Sequence, residues 1–158
     1  MNSQRIAVIR VRGETGVMKK IKYTLHMLRL YKKNNCIILK NTPSHLGFLH
    51  RIKDYVTWGE LDKTTFKELI EKRGRIISNK PFTESYLKEK TNQTLSEFIE
   101  DFFVYKKEIK DVPGLKLFFR LNPPRKGFEK KGVKKPFSLG GALGYRKEKI
   151  NDLIKRML

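Results

Sequence analysis

Arg5-Ile6-Ala7-Val8-Ile9-Arg10-Val11-Arg12 is the stretch on which the fold turns. It is short and rich in β-branched residues, and Gly13-Glu14-Thr15-Gly16 follows it. That combination predicts a strand and a turn. Beyond the turn the period changes. Val17, Ile21, Leu25 and Leu28, with Met18 alongside, recur at helical spacing between Val17 and Tyr31, and Thr15 or Gly16 is placed to cap that helix. Asn35 to Lys40 reads as a second strand. Thr42-Pro43 starts a second helix, because Thr offers an N-cap oxygen and Pro suits the first helical position. It runs to about Lys53, with Leu49 and Ile52 inward, and Tyr55-Val56-Thr57-Trp58 is a third strand. The α/β order β-α-β-α-β thus fills residues 1–59, expected as a first domain. Helices between strands favour parallel pairing on pattern alone.

Residues 60–158 are expected as a C-terminal extension. Asp62-Lys63-Thr64-Thr65 opens a short helix with Phe66, Leu69 and Ile70 inward and Gly74 as its stop. Arg75-Ile76-Ile77-Ser78 is extended, with no partner legible. Another short helix spans about Thr83 to Glu89. Thr94-Leu95-Ser96-Glu97 is a capping box, and Leu95, Phe98, Ile99, Phe102 and Phe103 keep helical spacing after it. An aromatic stripe of that kind is read as core. Val112-Pro113-Gly114 is a turn. Leu115 to Leu121 alternates as a strand, with Leu115, Leu117, Phe119 and Leu121 on one face. Residues 122–145 show no regular element, and a last helix from about Arg146 to Leu158 presents Ile150, Leu153, Ile154 and Met157.

Charge sets the functional question. The chain has 36 Lys and Arg against 16 Asp and Glu, net +20. Residues 1–55 and 112–158 each carry +10, and residues 56–111 carry zero. Solubility needs a magnitude of only about 2–8 in a small domain, and surplus charge repels itself. Nucleic acid is the partner class that neutralises such charge phosphate by phosphate; a solvated supercharged surface and an acidic membrane are the alternatives. No apolar run reaches the ~18 residues of a membrane span. The start, Met1-Asn2-Ser3-Gln4-Arg5, does not read as a signal peptide. The lone Cys36 lies in a buried-strand setting and suits a reducing compartment.

Three constellations fit RNA. On the first helix, Lys22, His26, Arg29 and Lys33 recur at i, i+4, i+7 and i+11, with Lys19 nearby. Stacked like charges cost about 0.2–0.5 kcal/mol per pair on a free helix, and phosphate would turn that cost into binding. On the later strand, Lys116, Phe118 and Arg120 share a face, a mix that suits ring stacking and phosphate contact as well as an ordinary half-exposed strand. From Arg120 to Pro136 there are seven basic residues and one acid. Arg125, Lys126, Lys130, Lys131, Lys134 and Lys135 are interrupted by Phe128 and Phe137 as ring anchors. Residues 122–145 as a whole hold too little apolar surface to offset ordering costs of about 1–2 kcal/mol per residue. They are expected to be mobile alone and ordered on RNA, unless both rings fold back onto the core. Arg10, Arg12, Arg51, Arg146 and Lys147 complete the expected RNA-binding set.

Several of these residues form a recognisable pattern. Thr42-Pro43, Gly47, Arg51-Ile52 and Tyr55-Val56 are joined by Arg120-Leu121-Asn122-Pro123-Pro124-Arg125, Gly132-Val133-Lys134-Lys135-Pro136, Gly140-Gly141-Ala142-Leu143-Gly144 and Ile150-Asn151-Asp152-Leu153-Ile154. Together they resemble the L-thirty family of large-subunit ribosomal proteins, over nearly the whole chain and in its archaeal form. Leu46 stands where the family often has Arg, and Lys126 where many members have Gly. The resemblance implies a ferredoxin-like core with a three-stranded antiparallel sheet and helices on one face. It also implies a structural role in the large ribosomal subunit in the cytoplasm, with rRNA and neighbouring ribosomal proteins as partners.

Rival functions fit less well. Gly140 to Gly144 lacks the Gly-Lys-Ser/Thr ending of a P-loop and the spacing of a dinucleotide fingerprint. Its bare G-x-x-G lacks the helical setting of a KH domain. His26, His45, His50 and Cys36 have no zinc-ligand spacing. No catalytic set, cofactor, metal or small-molecule substrate is expected. A nucleotide-binding or RNA-processing enzyme and a generic RNA chaperone remain the alternatives.

Overall fold

The structure is a computed structural model that describes residues 4–158; the leader reading rests partly on residues 1–3, outside the described residues. The elements are β1 (Arg5–Arg10), α1 (Lys19–Met27), β2 (Asn35–Lys40), α2 (Pro43–Arg51), β3 (Val56–Glu60), α3 (Lys63–Arg73), α4 (Glu84–Thr91), α5 (Leu95–Phe103), β4 (Phe119–Arg120), β5 (Gly144–Tyr145) and α6 (Ile150–Met157). They build an α/β fold on a five-stranded mixed sheet ordered β4-β2-β1-β3-β5.

β1 is central and pairs antiparallel with both β2 and β3. The parallel expectation is corrected for β1 and β2, and the connection explains why. α1 is only nine residues long. The chain then walks back through Arg29 (φ 59°) and Asn34 (φ 66°) to the end where β1 finished. There Asn34 N–H donates to the Arg10 carbonyl at 2.8 Å. β2 and β3 run parallel to each other with β1 between them, so α2 is a true crossover.

β1 is buried along its full length because both faces are covered. Ile6 and Val8 pack with Ile37, Leu25, Leu49 and Ile52 under α1 and α2. Ala7 and Ile9 face the other way, with Cys36, against Phe66, Phe102, Ile150 and Leu153. Helices therefore lie on both faces, a correction to the one-sided arrangement. The second cluster joins residues from either side of position 60. Burial there pushes the Cys36 thiol up to about 12, so it is a packing residue.

Local signals held where they were self-contained. Thr42 Oγ1 accepts from His45 N–H at 3.3 Å. Thr94 and Glu97 close their capping box at 3.4 and 2.9 Å. The N-cap of α1 is Met18, not Thr15 or Gly16, and no side chain caps it. The strand expected over Leu115–Leu121 is mostly absent. Lys116 N–H bonds the Arg75 carbonyl at 2.9 Å and Leu115 bridges Ile76, so only Phe119 and Arg120 reach β2. Those contacts also supply the missing partner of Arg75-Ile76.

The turn before α6 presses onto β3 at Gly59. A Cβ there would lie 1.9 Å from the Lys147 carbonyl oxygen. Gly59→Ala is expected to cost about 1–3 kcal/mol, read as a lower urea midpoint. Gly47→Ala, in α2 with no atom within 4 Å of the added carbon, is the control. It is expected to be stabilising by up to about 1 kcal/mol. Equal midpoints for the two variants would show that the turn does not rest on β3.

Candidate nucleic-acid interface

The sheet brings the two basic thirds of the sequence to one end. Arg10 of β1 lies opposite Val56 of β3, and Asn35 of β2 lies opposite Arg120 of β4. Leu121 N–H donates to the Asn34 carbonyl at 3.1 Å. Val11, just past β1, is buried with Ala142 and Leu143, and Phe128 and Val133 pack on that cluster. Residues 100 or more apart in sequence therefore share one edge of the molecule.

Lys19, Lys22, His26, Arg29, Lys33, Arg51, Arg120, Arg125, Lys126, Lys130, Lys131, Lys134, Lys135 and Lys147 are exposed. Arg12 and Lys116 are half-buried; Arg12 donates to the Asp54 carbonyl at 3.2 Å and Lys116 to Asn79 Oδ1 at 3.1 Å. The stripe on the first helix is interrupted. Lys22 and His26 both meet Glu14 at 3.3 Å, and α1 ends before Arg29 and Lys33.

Arg10 and Arg146 are corrections, since both are buried. Arg10 donates to the Leu30, Tyr31, Arg12 and Gly13 carbonyls at 2.7 to 3.1 Å, which ties the α1 return to β1. Burial lowers its pKa, and the carbonyl oxygens take up its donors. Arg146 Nη1 and Nη2 reach the two Glu129 oxygens at 2.7 and 3.2 Å. Its Nε donates to Thr57 Oγ1 at 2.8 Å and Nη2 also to the Ala142 carbonyl at 2.9 Å. Neither guanidinium is free to meet phosphate.

Arg146 is the hub of the long basic segment, which is more organised than its sequence indicates. It contains a 3-10 turn over Phe137–Leu139 and ends in β5, which pairs parallel with β3. Ala142 N–H bonds the Gly132 carbonyl at 3.1 Å, Leu143 N–H that of Lys135 at 3.2 Å, and Phe137 N–H that of Leu143 at 2.7 Å. Gly141 sits where an added Cβ would be 2.1 Å from the Lys135 carbonyl oxygen, so only glycine fits. Phe128 turns inward onto two apolar clusters, a correction to its role as a free ring anchor. Phe137 stays half-exposed, with the Arg146 guanidinium 4.7 Å from its ring centre.

The segment's one acid, Glu129, is engaged by Arg146 and Arg156. Arg125, Lys126, Lys130, Lys131, Lys134 and Lys135 have no ion-pair partner among the described residues. The neutral middle differs, with Lys72 on Glu68 and Lys88 on Glu84, each at 3.4 Å. Unpaired, exposed cations on an ordered loop are fit to bind a polyanion. No group of three or more metal-ligating side chains converges among the described residues. No helix there is long and apolar enough to cross a membrane.

Sequence reasoning missed some exposed apolar side chains. Tyr23 and Met27 follow Lys19 and Lys20 at helical spacing on the outer face of α1, and Tyr145 stands exposed beside Lys147. An apolar residue among lysines at i and i+4 was the available signal for Tyr23.

Residues 6–56 match the family model described as Ribosomal protein L30p/L7e. Large ribosomal subunit protein uL30 of Methanopyrus kandleri is 46% identical over 149 residues, covering 94% of this chain and 100% of that protein. The uL30 of Methanococcus maripaludis is 49% identical over 152 residues, covering 96% and 98%. The uL30 of Nanoarchaeum equitans is also 49% identical over 152 residues, covering 96% and 97%. Motifs at both ends of the chain, the β-α-β-α-β start and these near full-length identities agree: the chain belongs to the L30 family of ribosomal proteins, with the uL30 proteins of archaea among its relatives.

Proposed function

We propose that this chain is a structural, non-enzymatic constituent of the large ribosomal subunit that binds and stabilises large-subunit rRNA. One observation carries the reading. Segments of both basic thirds meet at one end of the sheet, and the exposed cations of the long loop have no acidic partner among the described residues. Rigid placement matters because an ordered loop loses less entropy on binding than a free tail. The neutral helical face built by α3, α4 and α5, where Lys72 and Lys88 are paired with Glu68 and Glu84, faces solvent or neighbouring ribosomal proteins. The particle it serves works in the cytoplasm.

Paired charge reversal tests this. Arg125→Glu with Lys134→Glu is expected to weaken binding to large-subunit rRNA about 10- to 100-fold near 0.15 M salt. It should also lower the slope of log K against log salt by about 2. Lys67→Glu with Lys88→Glu should change neither beyond about twofold. Equal losses from the two pairs would refute the partition of the surface.

A further inference from the structure

An open pocket of about 840 Å³ lies outside the loop's lysine row, between the Phe137 turn, β5 and the turn before α6. Glu60, Phe137, Tyr145, Lys147, Glu148 and Lys149 line it. Its volume is within the range of small-ligand sites. Tyr145 is 47% exposed, yet it is held firmly. Its ring stands 6.4 Å from Trp58, which is buried. Its hydroxyl donates to Glu60 Oε1, and that bond raises the phenol's pKa to about 12, so the proton stays on the phenol. A half-exposed ring whose rotamer is already fixed is a preorganised stacking platform.

The polar lining narrows the ligand. Lys147 and Lys149 flank the pocket, and the Phe137 ring lies 5.7 Å from Lys149 Nζ and 4.7 Å from the Arg146 guanidinium. Those cations disfavour an ammonium or guanidinium ligand. Glu60 and Glu148 disfavour a phosphate or carboxylate inside. Glu60 Oε2 is shielded from solvent and has no hydrogen-bond partner among the described residues. That oxygen is closed to a ligand; Glu60 Oε1, which accepts from Tyr145 at the pocket wall, is the carboxylate atom left to take a second donor. What fits is a flat, neutral ring carrying N–H donors and attached to a polyanion, which is a nucleobase. Guanine presents two adjacent N–H groups on one edge, so that, unlike adenine or cytosine, it places a donor rather than an acceptor beside the N–H that meets the carboxylate.

We propose that this pocket seats one unpaired rRNA base, stacked on Tyr145 with its donor edge toward Glu60, while Lys147 and Lys149 meet the flanking phosphates. The inference rests on the rRNA-binding reading and adds a single-nucleotide site to it. Base readout of this kind belongs to unstacked, single-stranded positions.

The test uses the full chain with oligouridine octamers carrying one central guanine, adenine or cytosine, and with a duplex of the same length. The guanine octamer is expected to bind tightest. Tyr145→Ala should weaken it about 5- to 150-fold, the range for one base–aromatic stack, with circular dichroism showing the variant still folded at the assay temperature. Tyr145→Phe should weaken it less, Glu60→Gln should erase the guanine preference, and duplex binding should ignore all three variants. Tyr145→Ala with unchanged octamer affinity overturns the pocket, as does wild-type chain that binds no octamer. Photocrosslinking of reconstituted large subunits should join the Tyr145 peptide to one rRNA nucleotide; a crosslink to a protein there also overturns it. The Arg125 and Lys134 reversals separate the two readings. If they weaken rRNA binding while Tyr145→Ala does not weaken octamer binding, the pocket fails and the rRNA reading stands.

Discussion

Arg146→Ala is expected to cost about 3–5 kcal/mol, because it removes one partner of a buried charge pair and leaves the other in place. The Arg146 side chain is 1% exposed and Glu129 20%. With the guanidinium gone, the Glu129 carboxylate, Thr57 Oγ1 and the Ala142 carbonyl each lose a donor. The loop should then loosen from the sheet. Amide exchange at Ala142 and Leu143, whose N–H groups bond within the loop, should quicken at least as much as urea stability falls. Arg146→Met combined with Glu129→Gln should cost less than Arg146→Ala alone, since no unpaired charge remains. Acid should produce the same loosening. Burial raises the Glu129 pKa, but the Arg146 hydrogen bond and the charges of Arg146 and Arg156 outweigh it and hold the carboxyl below its ordinary value. A carboxyl held low in the folded state binds its proton more readily once unfolded. Its contribution is therefore complete above the unfolded value, about 4.3, and is lost as pH falls through the lower folded value. Loop exchange should rise in that window in the wild type and much less in Arg146→Met with Glu129→Gln. Unchanged exchange and stability in Arg146→Ala would remove Arg146 from its role as hub.

Phe102→Ala is expected to cost about 3–5 kcal/mol, as large aromatic truncations in a core do. Phe102 stacks on Phe66 with ring centres 4.4 Å apart and an interplanar angle of 15°. On its other side the Arg5 guanidinium lies 3.9 Å from the ring centre. Arg5 Nε and Nη2 also donate to the Phe102 carbonyl at 3.0 and 2.7 Å, near the C-terminus of α5, where a cation is favoured by the helix dipole. One residue thus fastens α5 to β1 through both its ring and its backbone. Phe102→Leu keeps most of the volume and the backbone contacts but loses the ring face. It should cost about 1–2 kcal/mol. Chemical denaturation of the three proteins checks the order, and a Leu variant as unstable as the Ala variant would deny the cation–ring contact a separate role.

What the sequence determined by itself was everything set over a few residues. The period of Val17 to Leu28, the Thr42-Pro43 start, the Thr94–Glu97 box and the aromatic stripe of α5 are each complete within one or two turns of chain, and each appears in the fold. The three charge zones and the family motifs were legible in the same way. Tertiary structure decided what depends on distant partners. β2 is antiparallel to β1 because the α1 return brings Asn34 back to Arg10, which no local pattern records. Helices cover both faces because residues beyond position 60 bury Ala7, Ile9 and Cys36. Arg10 and Arg146 look like any other surface cation in sequence. Their burial follows from Leu30 and Tyr31 carbonyls some 20 residues away, and from Glu129 and Thr57 on other elements. A short-range pattern fixes a helix or a cap because its hydrogen bonds are local. Which cations stay free for a phosphate is fixed only when the folded chain has satisfied the others.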